Sequence, residues 1–343
     1  MSPTFIDEGL LESDEAQRNE PFMQKRVLII GAGAIGQVYG AHLAEAGADV
    51  GVFIRPQYVS DALDGYRLHR LRSMRSPRTY RYHAGTVSTC LETSLREEHD
   101  YILLAIPSDS LDDALLETIG AGIKDSRLVS LQPGLQSISK LTQFVPREAI
   151  ITGTIGFIAY QAPLAGEALE PGVAYYFPPL VKSVFSGEGA DEFVALLNRG
   201  GLPAKKIDDA RRTLMNSSAI LMPHIAALEA AEWSFDRLLK GDLLALASLG
   251  SKEALRACES FDGGDTSIQR QLLRPALIRA ALRSGSRVLP FDLEAYLAAH
   301  FQKVRPQSRL LLREYIDLAH SNNEGRALEA LQARVLALPA EAE

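Results

Sequence analysis

Residues 25–40 read KRVLIIGAGAIGQVYG. RVLII, at 26–30, is a short β-branched and aliphatic run that stops abruptly at glycine, and AIGQVYGAHLAEAGA then carries small and apolar residues at helical spacing. The segment is therefore expected to be strand, tight turn, helix. Gly31, Gly33 and Gly36 satisfy the spacing GxGxxG in that context, which turns a weak pattern into a specific one. The first glycine permits the turn, the second lets backbone approach a diphosphate, and the third lets the helix pack closely on the strand. Backbone N–H groups at the helix start, those of Ala34 and Ile35 included, then face an anion. A glycine turn used only for packing is the bland alternative; correct strand, helix and spacing together favour dinucleotide binding.

Working outward, DVGVFIR (49–55), YILLAI (101–106) and RLVSLQ (127–132) are further runs of the continuously apolar kind that suits strands covered on both faces. Helical patterns such as SLDDALLETIGAG lie between them, so the fold class is α/β with a doubly wound parallel sheet of Rossmann type. About 20 residues beyond the glycines, where an NAD-binding turn usually places an acid against the ribose hydroxyls, the chain has Arg55. A planar guanidinium holds two phosphate oxygens at once, which favours NADPH over NADH; a solvated loop arginine is the alternative.

After residue 150 the pattern changes. TIGFIAYQAPLAGEALEPGVAYYFPP has the paired aromatics and turn residues of irregular or antiparallel strands. From about Asp208 the chain is rich in Ala, Leu and Arg at helical spacing, interrupted by Pro223, DGGD (262–265), Pro275, Pro290 and Pro306. The organisation expected is an N-terminal extension (1–23), a dinucleotide-binding domain (24–207) and an all-helical C-terminal domain (208–343). YRLHRLRSMRSPRTYRYH (66–83) holds six arginines, which suits the solvated face of a hairpin.

A chain of 343 residues with 36 Lys and Arg against 43 Asp and Glu, net charge −7, argues against nucleic acid or an anionic membrane as wholesale partner. No apolar run approaches the roughly 18 residues of a membrane span. Cys90 and Cys258 have no metal-type spacing, no metal site is expected, and the acidic N-terminus lacks the order of a secretion signal. A cytoplasmic enzyme acting on a small molecule is the expectation.

The chain resembles the ketopantoate reductase family, NADPH-dependent enzymes with a Rossmann domain and a helical domain that reduce a 2-oxo acid between the two. The resemblance rests on VLIIGAGAIGQVYGAHLAEAGADV, on YILLAIP followed by a helix, on VSLQPGL and on RRTLMNSSAILMPHIAALE. It implies cofactor contacts at Ala105, Gln132 and Gly134, and pairing of the helical domains into a homodimer. It also exposes departures. The family's Gln-Asn-Gly or His-Asn-Gly segment reads Gln132-Pro133-Gly134, so the amide is replaced by a residue with no side-chain donor and no N–H. Its Lys-x-x-x-Asn element reads Arg212-Thr-Leu-Met-Asn216, and the lysine is the family's expected proton donor. Arginine keeps its protons and is a poor acid. Pro107 stands where many relatives have lysine.

The catalytic candidates are therefore Arg212 and Asn216, one helical turn apart; His224, whose ordinary pKa suits proton transfer; and Tyr160, a polar-tipped aromatic in the joining segment. Each has a bland alternative: a solvated arginine, a structural histidine beyond a proline kink, an aromatic at a core edge. The reading is an NADPH-dependent reductase of a small carbonyl or imine compound, with a catalytically reduced NADPH sensor or partner-binding module as the alternative.

Overall fold

The computed structural model describes residues 24–132 and 137–338. The extension 1–23, Pro133 and Gly134 lie outside the described residues. The strands are β1 (Arg26–Ile30), β2 (Asp49–Phe53), β3 (Tyr66–Arg72), β4 (Arg75–Tyr82), β5 (Thr86–Ser88), β6 (Tyr101–Leu104), β7 (Arg127–Ser130), β8 (Ile150–Gly153), β9 (Ile158–Ala162), β10 (Gly172–Tyr176), β11 (Ser183–Ser186) and β12 (Ala204–Lys206). Eight of them form one sheet in the order β12-β11-β8-β7-β6-β1-β2-β5. Pairing is parallel from β5 across to β8 and antiparallel between β8 and β11.

The apolar runs read from the sequence are explained by helices on both faces. Val27, Ile29, Leu103 and Val129 share a core with Val38, Tyr39 and Leu43 of α1 (Ala34–Glu45), while Leu28, Ile102 and Leu128 share one with Leu116 and Ile119 of α2 (Asp113–Gly122). Each of these strand side chains is at most 2% exposed, so alternation disappears and the strands read as continuous apolar stretches.

The arginine-rich stretch is indeed a hairpin, β3 with β4, and it belongs to a second sheet of order β4-β3-β10-β9. One face of this sheet, with Leu68, Tyr82 and Val173, packs on α1; the other, with Tyr160, Ala174 and Tyr176, packs on Phe291 and on Tyr296 of a C-terminal helix. The parallel β3–β10 pairing spans about a hundred residues of sequence, which no local pattern announces.

The C-terminal region is helical, as expected. Its framework is α3 (Ala210–Ala230), α4 (Leu243–Asp262), α5 (Leu293–Lys303), α6 (Arg305–His320) and α7 (Arg326–Leu336). Met215, Met222, Leu244, Leu255, Tyr315 and Leu328 meet in one core, where the Tyr315 hydroxyl donates to the Met215 carbonyl at 2.7 Å. The sequence reading interrupts the helical pattern at Pro223; in the structure α3 continues through it. A proline inside a helix costs roughly 3 kcal/mol through a lost hydrogen bond and a ring clash. Pro223 is nonetheless buried, beside Gly250 of α4.

Candidate functional site

The glycine turn is built as its spacing requires. Gly31 has φ +97, and a Cβ there would lie 2.5 Å from Ile106 Cγ2; a Cβ on Gly36 would lie 2.1 Å from the Gly31 carbonyl oxygen. Both positions are closed to larger residues by contact with the adjoining strand end. Gly33 differs: its φ is −71, it caps α1, and nothing lies within 4 Å of where its Cβ would be. Open space therefore lies in front of the turn. No carboxylate occupies the first turn of α1 and no side chain caps it, so the N–H groups at Ala34 and Ile35 keep their electropositive character.

Arg55 follows β2 at the same end of the sheet. Its guanidinium donates to the Tyr58 hydroxyl at 3.1 Å and lies 5.2 Å from the centre of that ring. Among the described residues no carboxylate pairs with it. A cation so held is oriented but not neutralised.

Ala105 closes the turn from the β6 side: its Cβ would lie 3.2 Å from a Gly36 side chain, and its N–H donates to the Ile30 carbonyl at 2.9 Å. Gln132, 3% exposed, donates from Nε2 to the Ile106 carbonyl at 2.8 Å, while its Oε1 is buried with no hydrogen-bond partner among the described residues. The structure thus brings Gly31, Gly36, Ala105, Ile106 and Gln132 together at the carboxyl ends of β1, β6 and β7, where open α/β sheets bind ligands.

The helical region covers these strand ends. The first turn of α3 is fixed where the Ala210 N–H donates to the Ser186 hydroxyl at 3.0 Å, α3 packs on β8 and β11, and α6 meets the Ser108–Ser110 turn after β6. Among the described residues Asn216 Oδ1 is buried without a partner, and so is Thr152 Oγ1 on β8. Buried polar atoms of this kind normally have partners, and each unpaired one calls for an explanation. Arg212 lies one turn before Asn216. Its Nε donates to Asp262 Oδ2 at 2.5 Å, and Arg211 holds the same carboxylate. Asp262 was not singled out in the sequence; the helix-ending DGGD was read for its glycines, and a helix-terminal acid opposite a second helix has no local signature.

Tyr160 and His224 stand apart from this group. Tyr160 lies on the face of the second sheet turned toward α5, its ring 5.7 Å from those of both Phe291 and Tyr296, its hydroxyl donating to Glu167 Oε1 at 2.5 Å. His224 is packed between α3 and α4. Its Nδ1 faces the Ile220 carbonyl at 2.8 Å, which assigns the proton to Nδ1, and Nε2 is buried without a partner. Burial holds its pKa below the usual histidine value, the backbone hydrogen bond opposing in part. Among the described residues there is no group of three His, Cys, Asp or Glu side chains placed to hold a metal, and no helix long and apolar enough to cross a membrane.

Residues 27–170 match the family described as ketopantoate reductase PanE/ApbA. Over 118 residues the chain is 31% identical to a glycerol-3-phosphate dehydrogenase [NAD(P)+] of Parafrankia sp. (strain EAN1pec), and that match covers 33% of this chain and 33% of the relative's length. Among solved structures, the 2-dehydropantoate 2-reductase of Geobacter metallireducens GS-15 superposes with a TM-score of 0.66 at 17% identity, covering 91% of this chain and 99% of the other. A D-mandelate dehydrogenase solved with NADH gives a TM-score of 0.66 at 15% identity, covering 92% and 98%. At such identities the superpositions establish the fold. Residues 27–170 are thus similar to the family of ketopantoate reductase PanE/ApbA, and nine-tenths of the chain's length follows the fold of the solved 2-dehydropantoate 2-reductase.

Proposed function

We propose that the chain is an NADPH-dependent reductase of a small 2-oxo acid or imine, held between a dinucleotide-binding domain (24–207) and a helical domain (208–343). The observation that carries this reading is the open space before Gly33, flanked by uncapped N–H groups of α1 and by an unneutralised Arg55. These residues fit the cofactor: the turn and Ala34–Ile35 would hold the diphosphate, Arg55 the 2′-phosphate, and Gln132 Oε1 offers a buried acceptor to an amide N–H. Gly134, a further candidate contact, lies outside the described residues. NADPH, when bound, supplies the hydride.

The chain's own residues would bind and orient the acceptor. Asn216 presents an unpaired amide oxygen and Arg212 a guanidinium whose direction is set by Asp262, so the two serve as a polar fork for a carboxylate or a developing oxyanion. Neither gives up a proton readily. An imine that arrives protonated meets that need, which is why the imine stands beside the 2-oxo acid. Tyr160 and His224, hydrogen-bonded within packed clusters, act on this reading through the framework. The Arg212–Asp262 pair also favours a second reading, an NADPH-binding sensor, because it leaves the former lysine position engaged.

Rapid mixing of the NADPH-loaded protein with a panel of 2-oxo acids and cyclic imines tests the assignment. Oxidation by at least one acceptor is expected. Tight NADPH binding with no oxidation by any acceptor would replace the reductase with the sensor.

A further inference from the structure

Away from the strand ends, on the second sheet, Arg70, Arg72 and Arg78 line a cavity of about 420 Å³ together with Ser73, Tyr176 and Phe177. Arg70 and Arg78 are direct partners across the β3–β4 pair, so two like charges stand opposite each other on one face. Such a pair destabilises an antiparallel ladder unless something neutralises it. Nothing described does. No carboxylate lies within ion-pair distance of Arg70, Arg72 or Arg78 among the described residues, although Arg67 on the same strand has Glu170 at 3.2 Å. Glu45, at the end of α1, acts on nearby His42 and Tyr80 through its charge without forming such a pair.

What holds these guanidinium groups orients them instead. Arg70 lies 5.2 Å from the centre of Phe177 and Arg78 lies 6.0 Å from that of Tyr80, while Arg72 donates from Nε and Nη2 to the Ser76 carbonyl at the hairpin turn. The Ser73 and Tyr176 hydroxyls meet at 2.9 Å beside them. Three oriented cations, two hydroxyls and an aromatic wall, in a chain of net charge −7, make a local inversion of charge with hydrogen-bond donors. The volume falls within the roughly 300–1,000 Å³ of metabolite pockets.

We propose that this cavity is an anion site, separate from the dinucleotide turn, for a small organic phosphate whose phosphoryl group sits between Arg70 and Arg78 and whose apolar part lies on Phe177. This assignment does not depend on the reductase reading.

Calorimetric titration of the full chain with phenyl phosphate and with inorganic phosphate, at matched ionic strength, reads it directly. Phenyl phosphate is expected to bind at least about tenfold more tightly than inorganic phosphate. Arg78→Gln is expected to weaken phenyl phosphate by about tenfold or more, in keeping with loss of a charge-assisted contact, with NADPH affinity unchanged. Without ligand, the Tm of Arg78→Gln should equal or exceed that of the native chain, since the opposed charges are relieved; with phenyl phosphate the native chain should gain Tm and the variant should not. Arg78 is exposed, and Arg70→Gln gives a second, independent version of the test. Equal affinity for both anions, or an unchanged phenyl phosphate affinity in both variants, overturns the proposal.

Discussion

Arg212 donates to Asp262 across the gap between α3 and the end of α4, and Asp262, its side chain only 10% exposed, is shared with Arg211. The Arg212 guanidinium is therefore fixed in direction, as a carboxylate-binding fork needs to be. Arg212→Ala is expected to raise KM for a 2-oxo acid by about 10- to 100-fold, the worth of hydrogen bonds to a charged group, and to leave the pH–rate profile in place because arginine carries no titrating proton. Asp262→Asn should act in the same direction by a smaller factor. Steady-state kinetics on both variants checks this; an unchanged KM in Arg212→Ala removes that residue from the substrate's contacts.

The three glycines of the turn separate packing from ligand space. Gly33→Ala introduces a methyl with no neighbour within 4 Å, at a backbone conformation open to alanine, so its stability should stay within about 0.5 kcal/mol of the native chain. The same methyl intrudes where a diphosphate would approach, and NADPH affinity should fall at least about tenfold. Gly36→Ala drives its methyl into the Gly31 carbonyl and should lose stability as well as cofactor. Denaturant melts paired with fluorescence titration tell the two apart.

On the proposed reading, cofactor choice rests on Arg55. Arg55→Ala is expected to weaken NADPH by about tenfold or more while NADH affinity stays the same, since the lost contact belongs to the 2′-phosphate. Parallel titrations with both reduced cofactors measure it. A native chain that prefers NADH would leave Arg55 as a residue stacked on Tyr58 and nothing more.

Acid should destabilise the fold through histidines whose protonation their packed surroundings oppose. His42, His224 and His300 all have pKa values lowered by burial, so the unfolded chain takes up their protons first as pH falls through about 6.5. Stability is then full above that pH and declines below it, by up to about 1.4 kcal/mol per pH unit for each proton involved. His224→Asn, which can keep a donor toward the Ile220 carbonyl, should flatten the loss measured by urea unfolding between pH 7.5 and 5.5. Equal slopes in both proteins would show that His224 contributes none of it.

The sheet was legible in the sequence because its strands are buried on both sides, and burial writes itself as unbroken runs such as VLII and YILL. The glycine turn was legible for a different reason: two of its positions are sterically closed, and only glycine fits them. Pairing between β3 and β10 was not legible, because register between segments a hundred residues apart leaves no local trace. The break expected at Pro223 does not occur: α3 continues through it, with the ring buried beside Gly250 of another helix, and that placement belongs to tertiary packing. Asp262 was missed for the same reason: its partner is 50 residues away, and an acid before two glycines reads first as a helix end.

The Phe291 cluster has one more consequence. The helical part touches the rest of the chain through α3 on the large sheet, through α6 at the Ser108–Ser110 turn and through Phe291 and Tyr296 on the small sheet. Three separated attachments leave a rigid body no common axis to turn about, so a wide gape between the two parts would have to break one of them.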